Sequence, residues 1–255
     1  MGLTLQAIPC RTDNYAYLIQ DIESGRVAVI DVPDAEPVRA ALSAAGQGLS
    51  DILITHHHDD HIAGVDVLRE EYGAKVCGAA ADAHRLPRLD HALRGGDTVA
   101  IGKNTATVID VPGHTLGHIA FHFADAKLAF TADSLMILGC GRLFEGTPAQ
   151  MWDSLCKLMA LPDDTLICSG HDYTRANAAF ALSVDPDNAA LRARIEQIEK
   201  DRDVGAPMAI APLTLEKATN PFLLAGDAYF KRRCGFDAQP DISVFATLRA
   251  RKDRF

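Results

Sequence analysis

The sequence predicts an α/β fold, in which a strand-rich body over residues 1–170 is followed by a helical domain over residues 171–255. Two observations lead to this prediction. Before residue 170, short apolar runs bounded by turn residues alternate with helical segments, as in domains whose sheets are covered by helices. After His171, helical patterns follow one another with almost no strand signal between them. A chain of 255 residues is long enough for one or two domains.

Turn residues mark the ends of the elements predicted in the body. A helix over Pro37–Ala45 is predicted to end at Gly46, because glycine readily adopts the left-handed conformation that closes many helices. A helix over Ile62–Tyr72 ends at Gly73 in the same way. Pro148–Ala160 is also predicted to be helical, with proline in its first turn. The predicted strands are Leu3–Ile8, Tyr15–Gln20, Val27–Asp31, Asp51–Ile54, Lys75–Cys77, Thr98–Ile101, Ala106–Val111, Ile119–Phe123, Lys127–Phe130 and Thr165–Cys168.

The composition and charge of the chain exclude several classes of protein. With 48% hydrophobic and 23% charged residues, it is neither disordered nor fibrous. Its net charge of −9 argues against a general nucleic-acid binder and against an RNA-cleaving enzyme, whose affinity comes from neutralising phosphates. The charge is uneven, since residues 231–255 carry +4 and residues 1–230 carry −13. The sequence assigns no role to Lys231, Arg232 or Arg233.

The helices predicted after His171 are Thr174–Leu182, Asn188–Arg202, Pro221–Lys231 and Ile242–Arg251.

The six cysteines are widely spaced and form no CxxC pair, which is typical of free thiols in a reducing compartment. The sequence shows no secretory leader and no run of 18 apolar residues, so we expect a cytoplasmic protein without a membrane partner. Cys140 lies between two glycines and could be a nucleophile, but a structural turn is the favoured interpretation.

Four of the ten histidines lie within six residues, where the pattern His-x-His-x-Asp-His is formed by His56, His58, Asp60 and His61. The pattern follows a predicted strand and precedes a predicted helix, so the side chains can converge on one point. Imidazole and carboxylate groups together suit zinc, iron and related ions. The intervening His57 and Asp59 are interpreted as spacers or supporting residues.

Three further residues follow predicted strands in the same manner: His114, Asp133 and His171. Five histidines and two aspartates are too many ligands for one tetrahedral zinc ion, and they suit two metals that share a carboxylate. Such a pair of metals activates a water molecule, which indicates hydrolysis of a carbon or phosphorus centre. The sequence contains no GxSxG nucleophile motif, no phosphate-binding GxxxxGK[ST] loop and no GxGxxG motif after a strand.

Several motifs resemble those of a known family. The candidate metal ligands are similar to those of the metallo-β-lactamase superfamily, whose fold is an αββα sandwich. Later motifs are similar to those of its glyoxalase II (hydroxyacylglutathione hydrolase) family, and the resemblance extends from Ile8 to the end of the chain. The motifs that carry it are Thr55–His61, Pro112–His118, Asp133, Gly139–Gly146, Gly170–Thr174, Thr219–Phe222 and Arg249–Asp253.

The resemblance implies a role for each candidate ligand. The implied ligands are His56, His58 and His114 for the first metal, Asp60, His61 and His171 for the second, and Asp133 as the bridge between them. Asp60 and Asp133 are expected to orient the proton of the attacking water and are the predicted catalytic residues. Zinc is the expected metal, and the same ligands also accept iron or manganese.

The resemblance also implies the substrate, a thioester of glutathione such as S-D-lactoylglutathione. Hydrolysis by a metal-activated hydroxide releases glutathione and D-lactate, the second step of methylglyoxal detoxification. The residues implied to bind glutathione are Arg142, Phe144, Tyr173, Arg249 and Lys252. Cationic side chains suit this ligand because glutathione carries two carboxylates. A monomer is expected.

Three positions depart from the family pattern. Phe144 stands where tyrosine is frequent, which removes a hydroxyl that could bind the glutathione backbone. Ala132 stands where glycine is common, and Leu224 where arginine is common. These last two concern packing more than chemistry, and no proposed metal ligand is affected.

Two other functions are less well supported by the sequence. A glutathione persulfide dioxygenase of the same superfamily would use one iron on His114, Asp133 and a histidine of the first motif, and the basic pair Arg249 and Lys252 disfavours it. A metal-dependent binding module without activity is disfavoured by the complete set of seven ligands.

Overall fold

The computed structural model describes residues 2–255, which divide into two compact units. The first unit comprises residues 2–110 and 116–132, and the second comprises residues 111–115 and 133–255. The domain boundary near residue 170 stays a prediction, and the two units divide the chain at other positions. Each unit is described by itself.

The first unit contains two sheets and the helices that cover one of them. Its strands are β1 (Leu3–Cys10), β2 (Asn14–Asp21), β3 (Val27–Ile30), β4 (Asp51–Leu53), β5 (Lys75–Ala79), β6 (His91–Leu93), β7 (Thr98–Ile101), β8 (Asn104–Asp110), β9 (Ile119–Phe123) and β10 (Leu128–Ala132). Its helices are α1 (Ala35–Ala45), α2 (Asp59–Ile62) and α3 (Val65–Tyr72), followed by a 3₁₀ turn at Ala80–Asp82. One sheet has the order β1-β2-β3-β4-β5-β6, and β10-β9-β8-β7 form an antiparallel series.

The central strands of the first sheet are apolar on both faces. Val29 of β3 packs in one core with Leu42 of α1 and Leu68 of α3. The opposite face meets the second sheet, where the ring of Tyr17 lies 5.5 Å from the ring of Phe130. Strands β3 to β6 run parallel, so their carboxyl ends lie at one edge of the sheet. The first metal-binding motif follows β4 at this edge.

The second unit is mainly helical. Its helices are α4 (Pro148–Met159), α5 (Thr174–Val184), α6 (Ala189–Asp203), α7 (Leu213–Thr219), α8 (Ala228–Arg233) and α9 (Asp241–Lys252), with a 3₁₀ turn at Leu223–Gly226. Its strands are β11 (Leu135–Met136), β12 (Gly139–Cys140), β13 (Leu166–Ser169) and β14 (Ile210–Pro212). Strands β11 and β12 form an antiparallel hairpin, and β13 pairs antiparallel with β14. Among the helices of residues 2–255, none combines the length and the hydropathy that spanning a lipid bilayer requires.

The structure confirms most predicted elements and corrects several. The helix predicted over Ile62–Tyr72 is wrong in its first turn, because α2 ends at Ile62 and α3 begins only at Val65. Pro221–Lys231 is not one helix, since the side chain of Asp227 accepts a hydrogen bond from Phe230 N and starts α8. The sequence prediction missed β6, β11, β12, β14 and α7. These elements are short, and short elements carry little periodicity.

The basic residues without a predicted role include two structural ones. Arg233 makes a two-pronged ion pair with the buried carboxylate of Asp185 and lies over the ring of Tyr229. Lys231 pairs with Asp241 at the start of α9. These contacts tie α8 to α5 and α9, so part of the basic segment stabilises the helical packing.

Ala132 has a backbone φ of 42°, in the left-handed region that favours glycine. A residue with a Cβ is disfavoured there by about 1–2 kcal/mol. We therefore expect Ala132→Gly to cost about 1–2 kcal/mol less stability than Ala129→Gly, a buried position of the same strand outside the positive-φ region. Both substitutions remove one methyl and loosen the unfolded chain, so their difference isolates the strain. Chemical denaturation measures it, and equal losses would contradict the prediction.

Candidate metal centre

The first cluster of candidate ligands lies in the first unit, on the loop that follows β4. His56 and His61 are fully buried, and Nε2 of His56 faces Nδ1 of His58 at 3.1 Å. Asp60 lies at the start of α2, with Oδ2 at 3.9 Å from Nε2 of His61. The structure thus brings His56, His58, Asp60 and His61 together, as the spacing predicts. Ring nitrogens that face one another in this way fit a shared cation.

Asp31 supports this cluster, and the sequence analysis missed it. Its Oδ1 accepts a hydrogen bond from Thr55 N at 2.8 Å, and its Oδ2 accepts one from the Thr55 hydroxyl at 2.8 Å. The same Oδ2 lies 2.8 Å from Nδ1 of His61. Proximity alone would allow Asp31 to be a ligand, since its oxygen lies within 4.8 Å of ligand atoms of His56 and His61. Because both oxygens are already engaged, we interpret it as the group that orients His61.

This orientation has a chemical consequence. A carboxylate that accepts from Nδ1–H fixes the ring tautomer and leaves the Nε2 lone pair for a metal. The sequence did contain a signal, because Asp31 directly follows β3 as Asp133 directly follows β10. Asp31 also has a φ of 54°, unusual for a residue other than glycine.

Two further residues hold the loop. The amide of Asn14 donates to Oδ2 of Asp60 at 3.1 Å and to the Asp60 carbonyl at 2.9 Å. The guanidinium of Arg11 pairs with the exposed carboxylate of Asp59 at 3.0 Å. The ring of His57 is turned to the buried carboxylate of Asp82, with Nδ1 at 3.2 Å from Oδ2. Asp59 and His57 therefore have the supporting contacts expected of the intervening positions.

The second cluster lies in the second unit and consists of His114, Asp133 and His171. All three side chains are buried. Oδ2 of Asp133 lies 3.4 Å from Nε2 of His114 and 3.3 Å from Nε2 of His171. Nδ1 of His114 lies 2.8 Å from the carbonyl oxygen of Arg142, so that a proton on Nδ1 leaves Nε2 free to bind a metal. One carboxylate oxygen between two imidazole nitrogens is the arrangement that a bridging ligand needs.

Two aromatic residues predicted to bind substrate lie on the histidines of this cluster. The ring of Phe144 meets the ring of His114 edge-on at 5.2 Å and is 63% exposed. The ring of Tyr173 stacks on the ring of His171 at 4.7 Å and is 40% exposed. Both rings therefore offer exposed surface directly beside a candidate ligand.

The predicted cationic residues differ in their environment. Arg142 has a largely exposed side chain, whose Nε lies 3.9 Å from Asp253 Oδ1. Arg249 is only 5% exposed, and its guanidinium donates to the Cys140 carbonyl at 2.7 Å and pairs with Asp253 at 2.9 Å. The sequence predicts Arg249 to bind a substrate carboxylate, and this stays a prediction. Its observed contacts are structural ones.

Lys252 has an unusual environment for a lysine. Its Nζ donates to the Ala176 carbonyl at 2.7 Å and lies over the ring of Phe180. Burial, together with the smaller effect of the nearby charges of Arg249 and Arg142, lowers the pKa of this ammonium to about 8.

The state of the cysteines agrees with the interpretation that Cys140 is a structural residue and not a nucleophile. All six are free thiols. Burial raises the pKa of the Cys140 thiol to about 11, so it is protonated at neutral pH and is a poor nucleophile.

Two family models together match residues 11–255 of the chain. A family model described as "Metallo-beta-lactamase superfamily" matches residues 11–171, and one described as "Hydroxyacylglutathione hydrolase C-terminus" matches residues 172–255. The chain is 58% identical to a hydroxyacylglutathione hydrolase from Cereibacter sphaeroides and 54% identical to one from Ruegeria pomeroyi, over 100% of both chains in each case.

Solved structures show the same fold. ETHE1 from Myxococcus xanthus has a TM-score of 0.65 and 26% identity, covering 98% of each chain. The BLEG-1 B3 metallo-beta-lactamase has a TM-score of 0.67 and 22% identity, covering 86% of this chain and 99% of its own. The predicted α/β metallo-β-lactamase fold with a helical C-terminal domain is thus confirmed. Together with the His and Asp clusters, the superfamily match supports a dimetal site.

Substitution of Asp31 tests whether its carboxylate orients the His61 ring for metal binding. We expect Asp31→Asn to weaken metal binding by about 10–100-fold, because an amide nitrogen facing Nδ1 of His61 no longer fixes the tautomer. Titration of the metal-free protein against a chromophoric chelator measures the affinity. Asp125→Asn, at an exposed position, is the control and keeps the affinity of the unchanged chain. Equal affinities in both variants would contradict the role of Asp31.

Proposed function

Because the chain belongs to the hydroxyacylglutathione hydrolase family of the metallo-β-lactamase superfamily, we propose that it hydrolyses S-(2-hydroxyacyl)glutathione thioesters. S-D-lactoylglutathione is the proposed substrate, and glutathione and D-lactate are the products, which makes this the second step of methylglyoxal detoxification. The observation that carries the proposal is 58% identity to a hydroxyacylglutathione hydrolase over the full length of both chains.

We assign the seven candidate ligands to two divalent metals. The proposed ligands are His56, His58 and His114 for one metal, Asp60, His61 and His171 for the other, and Asp133 for both. The position of Asp133 Oδ2 near two Nε2 atoms supports its role as the bridge. Zinc is the proposed metal because imidazole and carboxylate suit it, and the same donors suit iron and manganese.

The bound metals and the residues around them contribute differently to the proposed reaction. When bound, the metals supply a deprotonated water at neutral pH and polarise the thioester carbonyl. Asp60 and Asp133 accept and orient the proton of the attacking water. Asp31 and the Arg142 carbonyl hold two histidine rings in the tautomer that binds metal. The leaving glutathione thiol has a pKa of about 8.5, so its departure needs less acid assistance than that of an amine.

Substrate recognition is proposed to combine charge and aromatic contact. Arg142 and Lys252 offer positive charge to the carboxylates of glutathione, while Phe144 and Tyr173 offer exposed rings beside His114 and His171. Arg249, which contacts Cys140 and Asp253, is also proposed to bind a glutathione carboxylate. Phenylalanine at position 144 provides no hydroxyl for the glutathione backbone.

We also propose a domain organisation, a location and an oligomeric state for the chain. Residues 1–170 are the proposed catalytic domain and residues 171–255 the proposed substrate-binding domain. A cytoplasmic location is supported by the six free cysteines, since such thiols persist in a reducing compartment. A monomer is proposed, which sedimentation analysis tests.

The decisive experiment combines metal analysis with a thioester assay. The purified chain is expected to bind two metals and to hydrolyse S-D-lactoylglutathione faster than simple thioesters. Asp133→Ala should lose metal and at least about 100-fold in kcat, because it removes the proposed bridge. Asp125→Ala is the matched control. Wild-type hydrolysis by Asp133→Ala would contradict the assignment, and one iron per chain with oxygen uptake on adding glutathione persulfide would indicate a dioxygenase.

The pKa of Lys252 predicts how substrate affinity depends on pH. Below about pH 8 its ammonium is charged and attracts a glutathione carboxylate, whereas above this pH the charge is lost. We expect KM to rise about tenfold between pH 7 and pH 9.5, since a hydrogen bond to a charged group contributes about 1.5–3 kcal/mol. Lys252→Arg stays charged and should remove the pH dependence. The same KM profile in both proteins would exclude Lys252 as a carboxylate ligand.

A further inference from the structure

A hairpin begins at one proposed metal ligand, Asp133, and contacts a second one, His114. It runs from Asp133 to Arg142, includes β11 and β12, and is named here the ligand hairpin. At its base, Gly141 N donates to the carbonyl of Asp133 at 3.0 Å. At its end, the Arg142 carbonyl accepts from Nδ1 of His114 at 2.8 Å. A shift of this hairpin would therefore move the Asp133 carboxylate and turn the His114 ring together.

The base of the ligand hairpin is packed without spare room. A Cβ added at Gly141 would lie 2.1 Å from the Asp133 carbonyl oxygen and 2.8 Å from Nδ1 of His114. A Cβ added at Gly139 would lie 2.5 Å from Nδ2 of Asn177. The two glycines of the Gly-Cys-Gly motif thus allow the backbone to approach a ligand and a supporting amide.

The turn of the hairpin bonds to side chains outside the hairpin. It consists of Ile137 and Leu138, both buried, and Leu138 has a φ of 57°. This conformation is unfavourable for a residue with a side chain. Buried N–H and C=O groups that lack partners are costly, so a turn of this kind depends on donors and acceptors from outside.

Three side chains of the second unit supply these partners. Oε2 of Glu216 accepts from Leu138 N at 2.9 Å. The amide of Asn220 donates to the carbonyl of Met136 at 3.2 Å and to that of Gly139 at 2.9 Å. The amide of Asn177 donates to the Ile137 carbonyl at 3.0 Å. Four consecutive residues of the ligand hairpin, 136–139, are therefore bonded to Asn177, Glu216 and Asn220, named here the polar clamp.

The polar clamp is itself held rigidly. Glu216 and Asn220 are completely buried, and the Asn220 amide also donates to Oε2 of Glu216 at 3.0 Å. The buried guanidinium of Arg194 pairs with Glu216 and donates to the hydroxyl of Thr219. A buried, fully bonded network of this kind has a single geometry. Thr219 and Asn220 begin the Thr-Asn-Pro-Phe motif, to which the proposed function gives no task.

We propose that the polar clamp positions the bridging ligand, so that Asn177, Glu216 and Asn220 are positioning residues for the metal centre. The inference rests on the proposed function for the roles of Asp133 and His114. The helical segment then has a second task besides substrate binding, because its side chains set the conformation of the ligand hairpin. Support of a ligand's backbone should change metal affinity and kcat more than substrate affinity.

The test compares Asn177→Ala and Asn220→Ala with Asn104→Ala. Asn104 is also a buried asparagine, but its amide donates to Asp21 in the first unit. We expect the two clamp variants to bind zinc at least tenfold more weakly than the unchanged chain in a chelator competition. With saturating zinc, their kcat for S-D-lactoylglutathione should fall at least tenfold while KM changes less than twofold. Asn104→Ala should keep the zinc affinity and kcat, even where its unfolding temperature falls equally.

Two results would overturn the proposal. One is zinc affinity and kcat like those of the unchanged chain in folded Asn177→Ala, which stands on its own should Asn220→Ala not fold. The other is an equal loss of zinc affinity in Asn104→Ala, which would assign the effect to general stability. The unchanged chain reports separately on the proposed function. If it binds two zinc ions without hydrolysing S-D-lactoylglutathione, the proposed function fails, and the zinc affinities still decide the role of the clamp.

Discussion

The buried carboxylate of Asp133 is the group on which the rest of the centre depends. It lies with one oxygen close to Nε2 of both His114 and His171. A buried carboxylate is strongly unfavourable unless positive charge or hydrogen-bond donors lie beside it. In the proposed centre, bound cations supply that charge, with Asp133, His114 and His171 as their ligands. The chain must therefore hold Asp133 firmly enough that it cannot turn away towards water.

Both units fix their histidine rings by the same means. In the first unit the Asp31 carboxylate faces Nδ1 of His61, and in the second the Arg142 carbonyl faces Nδ1 of His114. Each acceptor favours the tautomer whose Nε2 is free to bind the proposed metal. The two acceptors differ in kind, since one is a side chain and the other belongs to the backbone. The backbone acceptor depends on the ligand hairpin, and the hairpin depends on the polar clamp.

The contacts of residues 231–255 show that part of their positive charge has a structural role. A net charge of +4 over residues 231–255 suggests an anion-binding surface. Asp241 and Asp253, which pair with Lys231 and Arg249, are already counted in this net charge. The pair of Arg233 with Asp185 neutralises one further charge of the segment. Lys252 is the cation of this group whose pKa burial brings to about 8. The excess charge thus serves helix packing as well as the proposed substrate.

The sequence by itself determined the family, the order of most strands and helices, and the seven candidate ligands, because each ligand follows a strand within a short, recognisable motif. Only the tertiary structure identified Asp31 and Asn220 as supports and showed the burial of Arg249. It also divided the helix predicted over Pro221–Lys231, since Asp227 begins a new one. The reason is physical. Asn220 bonds to a carbonyl 81 residues away, and such a contact depends on distances in space that no local pattern of residues encodes.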